Sequence, residues 1–141
     1  MTITQALLAP VFLHIVLVFG IGISMGRARF RSGRNKEVRR EDIALNNKAW
    51  PDHVLKLSNN FDNQFQVPLL WYAGIGFLLI TGLHDWIAVA LSWLFIVSRA
   101  AHTAIHTGAN VVLHRFRAFL VGFIAVLALW LWFAIRLYVI G

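Results

Sequence analysis

The chain contains no cysteine among its 141 residues. That absence excludes a disulfide-stapled fold, a thiol nucleophile of the protein's own, thiolate-ligated zinc and iron–sulfur clusters. Charge is nearly as scarce: 13% of residues are charged and 59% are hydrophobic, whereas about a quarter of a soluble domain is charged. A small domain buries only a modest share of its surface, so these few charges cannot clothe a soluble bundle. The same hydrophobicity excludes disorder. No repeat period is visible, which removes solenoids and collagen-like arrays. Acid is scarcest of all, with six Asp and Glu against thirteen Lys and Arg. The formal charge is +7 and the mean hydropathy +0.68.

A positive excess invites a nucleic-acid reading, but its placement argues otherwise. Nine of the thirteen basic residues lie between Arg27 and Lys56, among Glu37, Glu41, Asp42 and Asp52. That segment sits between long apolar runs, where Lys and Arg mark the cytoplasmic side of a membrane. The expected partner is the lipid bilayer and not nucleic acid.

What the sequence does have is four stretches almost free of charge, the third holding one inside it, Arg99, and each long enough to cross about 30 Å of hydrocarbon at 1.5 Å per residue. They predict spans over about 6–27, 60–82, 86–108 and 115–138, with a cytoplasmic loop over about 28–58. The first run lacks a basic segment before it, so it reads as a span and not as a signal peptide. The second is expected to begin as a helix near Asn59 or Asn60, with Pro68 near its start, where a missing N–H costs least. Thr81 to Asp85 predicts a short turn that makes spans two and three an antiparallel hairpin. Trp130, Trp132 and Tyr138 crowd the far end of span four as interfacial aromatics do. The fold class is therefore all-α, an integral membrane four-helix bundle of up-down topology in a single domain over 1–141. The basic loop places both termini on the non-cytoplasmic side. Continuous apolar helices exclude an outer-membrane barrel, so in a bacterium the inner membrane is the expected location.

Span three carries the chemistry. At 3.6 residues per turn, Arg99, His102, Thr103, His106 and Asn110 share one stripe of about 15 Å. Ionisable groups at membrane depth are costly and face protein or water. Two readings fit the stripe: a cleft for a polar ligand, or interhelical bonding that holds the bundle together. Span two offers amides on the same side of the membrane, with Asn59, Asn63 and Gln66 in one row and Asn60 with Gln64 in a second. Amides donate and accept without adding charge, so they suit a peptide-like ligand or plain helix–helix bonding. Arg115 and Arg117 open span four, and Arg27, Arg29 and Arg31 close span one. Guanidinium forks suit a carboxylate, and an arginine-rich edge also follows from topology alone. Gly22 and Gly26 are spaced for close helix contact.

Three segments resemble the MAPEG family, the membrane-associated proteins in eicosanoid and glutathione metabolism, and within it a small bacterial branch. They are Ser58 to Pro68 in span two, Arg99 to His106 with Asn110 in span three, and His114 to Phe119 opening span four. The resemblance implies a homotrimer that binds glutathione between subunits on the cytoplasmic side. It implies that Arg99, His102, Asn63, Gln66 and Arg27 hold the cofactor. Arg115 matches the arginine proposed to stabilise the thiolate, and His106 stands where several enzymes carry a tyrosine and would move a proton. The implied activity is a glutathione-dependent transferase or peroxidase acting on lipophilic electrophiles. The alternative is a non-catalytic oligomeric membrane protein whose polar stripe is structural. No metal is expected.

Overall fold

The computed structural model describes residues 1–140, and helix is their only regular structure. Helix α1 covers Ile3–Arg34 and opens on a capping box in which Thr2 and Gln5 satisfy each other's backbone N–H groups. At 1.5 Å per residue it is roughly 48 Å long, so it crosses the hydrocarbon and continues beyond it. A short helix α2 (Arg40–Ile43) and a 3₁₀ turn (Asn47–Ala49) occupy the basic segment. Helices α3 (Asp52–Asn63) and α4 (Val67–Thr81) make the second crossing, α5 (Trp86–Thr107) the third and α6 (Val112–Ile135) the fourth. A π-helical turn, Arg136–Ile140, ends α6. Four helical segments are long and apolar enough to span a membrane, the second being Asp52–Thr81 taken through its break. Large apolar side chains such as Phe12, Val16, Phe19 and Ile80 are exposed, as lipid-facing residues must be. The protein is an all-α, four-span membrane bundle.

The second crossing departs from the single helix expected to begin near Asn59. Its helix starts at Asp52 and breaks over residues 64–66. Pro68 has no N–H to offer the Gln64 carbonyl, and its ring collides with the same group. Gln66 caps α4 with φ −89° and ψ −94°, outside helical space. Pro68 therefore sits near a helix start as expected, but the start is that of α4, midway along the crossing.

The turn after α4 is tight because Gly82 adopts φ +70°, where a side chain is disfavoured. Asp85 then caps α5 by accepting from the Ala88 N–H at 3.0 Å. The same carboxylate accepts from Trp132 Nε1 and lies 3.7 Å from Arg136 Nη1, which ties the turn to the end of α6. Helix α5 packs most extensively on α6 and also on α1, and α4 packs mainly on α6. Spans two and three run antiparallel across the short turn, with Trp71 bonded to Ser92, Asn63 to Arg99 and Asn60 to Thr103. Trp71 and Phe95, both fully buried with ring centroids 4.7 Å apart, fill the space between them. Of the paired glycines, Gly22 receives the Phe61 ring of α3, while Gly26 meets nothing.

Candidate functional site

Two polar neighbourhoods meet along α5. The first is closed. Arg99 is 2% exposed, and its Nη2 donates to the Asn63 carbonyl at 2.9 Å and to Gln64 Oε1 at 3.3 Å. The break before Pro68 frees that carbonyl from the helix ladder. Gln64 Oε1 also accepts from His14 Nε2 at 3.2 Å. That bond fixes the tautomer: in the neutral ring, His14 Nδ1 accepts from the Tyr72 hydroxyl, 2.7 Å away. The Gln64 amide donates to the Asn60 carbonyl, Asn60 Oδ1 and Thr103 Oγ1. A network from α1, α3, α4 and α5 thus joins in one place at the break.

The second neighbourhood is open. A cavity of about 320 Å³ is lined by Asn59 and Asn63 of α3, His102 and His106 of α5, and Val112, Arg115, Phe116 and Phe119 of α6. This volume is at the small end of ligand sites. His102 Nδ1 donates to the Arg115 carbonyl at 3.1 Å, while its Nε2 and His106 Nδ1 are buried without partners. The two rings lie edge to face with centroids 5.5 Å apart. Arg115 is held from behind, its Nη1 donating to Asn110 Oδ1 at 2.7 Å. Asn110 adopts φ +53°, a left-handed turn that Asn tolerates between α5 and α6. The opposite wall of Val112, Phe116 and Phe119 is apolar.

The structure brings together Arg115, His106, His102 and Asn63 from the set named by the sequence. Arg99 lies behind Asn63 and does not line the cavity. Gln66 and Arg27 are exposed and stand outside it. Gln66 follows the break, so the row that starts at Asn59 and Asn63 does not reach it; Gln64 turns inward instead. Arg27 is two residues, about 200° of helix, from the face of α1 that packs on α3. Arg29 occupies that face: its Nη2 donates to Ser58 at 3.0 Å and its guanidinium lies 5.4 Å from the Trp50 ring centroid. Asn59 joins the site from the amide row of span two, and Val112, Phe116 and Phe119 join it without having been singled out. Lys56 precedes Asn59 by three residues and Asn63 by seven, so it shares their face, a spacing visible in the sequence. Among the described residues, no group of three metal-binding side chains is present.

Four apolar crossings around an intramembrane cleft of arginine, histidine and amide define a small polytopic membrane protein with a buried polar site. The chain belongs to the MAPEG family, whose family model matches residues 7–135. No curated protein and no solved structure matches it.

Proposed function

We propose that the cavity between α3, α5 and α6 binds glutathione and presents its thiolate to lipophilic electrophiles, as a transferase or peroxidase. The observation that carries this reading is the pairing of Arg115 with two histidines, each with one unpartnered buried ring nitrogen, across from the Asn59 and Asn63 amides. Arg115 would stabilise the thiolate as a preorganised positive charge. The amides of Asn59 and Asn63 would bond the peptide groups, and Lys56 at the cytoplasmic rim would meet a carboxylate. His106 would orient or move a proton. Val112, Phe116 and Phe119 would admit the apolar substrate from the bilayer. In this reading the chain forms a homotrimer in the bacterial inner membrane, with both termini outside the cytoplasm and the cavity opening inward. A neighbouring subunit would then complete the wall left open in one chain.

Arg99 takes a different part from the one expected of it. Its bonds to Asn63 and Gln64 favour a bracing role, which supports the structural alternative for this residue alone. Isothermal calorimetry on detergent-purified protein tests the reading. Glutathione binding at millimolar concentration or below, lost in Arg115→Ala, is the expected outcome. An intact oligomer that binds none rejects it.

A further inference from the structure

The geometry points to His102 as the base that takes the thiol proton, with Arg115 fixing the tautomer through its own backbone. This inference rests on the glutathione reading above. Arg115 acts at both ends of the arrangement. Its carbonyl accepts the His102 Nδ1–H at 3.1 Å, and its side chain lines the same cavity as the imidazole. A neutral imidazole has one proton. With that proton committed at Nδ1, the electron pair stands at Nε2. That atom is shielded from water and has no partner in the protein. His106 has no such anchor: its Nδ1 is unpartnered, and no bond selects its tautomer. The charged and titratable groups around His102 are Arg99 and His106 on α5 and Arg115 on α6, with Lys56 on α3 beyond His106. A proton donor from a ligand is the complement that Nε2 lacks, and a thiol supplies one.

The step balances without an oxidant. The S–H bond breaks, its proton goes to Nε2, and the thiolate remains beside Arg115. Sulfur then bonds the β-carbon of an activated alkene, and the alkene pair moves to the conjugated carbonyl as an enolate. The imidazolium returns its proton to the α-carbon. The product is the thiol added across the double bond, with His102 neutral again.

Two measurements on the purified full chain in detergent test this. In ¹⁵N NMR of histidine-labelled wild type, His102 should carry its proton on Nδ1 and none on Nε2; the opposite tautomer overturns the proposal. In the second, glutathione adds to 4-phenyl-3-buten-2-one. His102→Gln should lose about 10²–10⁴-fold in kcat/KM, the range of a positioned acid–base group, while its glutathione affinity stays within a few-fold. Its rate should rise in proportion to hydroxide where the wild-type profile levels off, and His114→Gln should behave as wild type. A His102→Gln enzyme with the wild-type pH profile overturns this inference and leaves the glutathione reading standing. Wild type that binds no glutathione overturns both.

Discussion

Around Arg99 and Thr103, polar groups of four helices bond one another: His14, Tyr72, Gln64, Thr103 and the freed Asn63 carbonyl are joined in one network, with Arg99 Nε and Asn60 Nδ2 left over. One turn further along α5, His102 and His106 are equally buried, but a single hydrogen bond, from His102 Nδ1, reaches their rings, and both face a cavity. The residue types are similar and the depth differs by a few ångströms. What differs is which crossing faces them. The closed set looks toward α1 and the break in span two, where amides and a bare carbonyl supply complements. The open set looks toward the start of α6, which supplies one carbonyl, one guanidinium and a wall of Val112, Phe116 and Phe119. A polar stripe inside a membrane can thus be part mortar and part receptacle, and the cavity beside it separates the two where residue type does not.

The largest effect should come from breaking the closed side. Gln64→Leu removes the acceptor shared by His14 and Arg99 and the donor to Asn60 and Thr103. Intramembrane bonds average about 0.6 kcal/mol, but each orphaned buried group adds about 1–3 kcal/mol. A loss of roughly 2–4 kcal/mol is expected, read by thermal unfolding in micelles. Next is the seam that sets the width of the open side. A Cβ on Gly122 would collide with the Ser98 hydroxyl and meet the Phe95 ring at ordinary contact distance. Gly122→Val should cost about 1–3 kcal/mol as overpacking does and should weaken glutathione binding by shifting α6 away from α5. Arg115→Ala should leave the unfolding temperature nearly unchanged, since it loses one hydrogen bond to Asn110, and should weaken glutathione at least about tenfold, near 1.4 kcal/mol. A large fall in stability with unchanged binding would invert the comparison.

The smallest effect belongs to a third polar group, outside the bilayer. Glu37 accepts from the Ser32 hydroxyl at 2.8 Å and from the Asn35 amide, and these bonds hold its carboxyl below the ordinary value of 4.5. A depressed folded pKa stabilises the fold above the ordinary value and loses that contribution as pH falls through the folded one. Glu37→Gln should therefore flatten the acid end of the stability profile and leave it unchanged near neutrality. The effect should be slight, because the group is solvated.

The crossings were legible because charge is so rare that its gaps draw them. Arg99, His102 and His106 were legible because one face of an otherwise apolar helix holds them. The break was not, because Pro68 reads equally well as the start of a helix or as an interruption of one. That ambiguity moved the inward amide from Gln66 to Gln64. The choice between Arg27 and Arg29 depends on which face of α1 meets α3, and an apolar helix with glycines scattered along it does not announce that face. His14 meets Tyr72 from 58 positions away, a contact with no local signature.

A guanidinium moored to a main-chain oxygen has an odd genetics. Replacing Asn63 by alanine would not unmoor Arg99, because every residue carries a carbonyl. The tether is written five positions downstream, in the ring that keeps Val67 and its neighbours from closing the ladder. Pro68→Ala would let the rod run straight, give the Asn63 oxygen back to the Val67 N–H, and turn the arginine loose without touching either end of its bond.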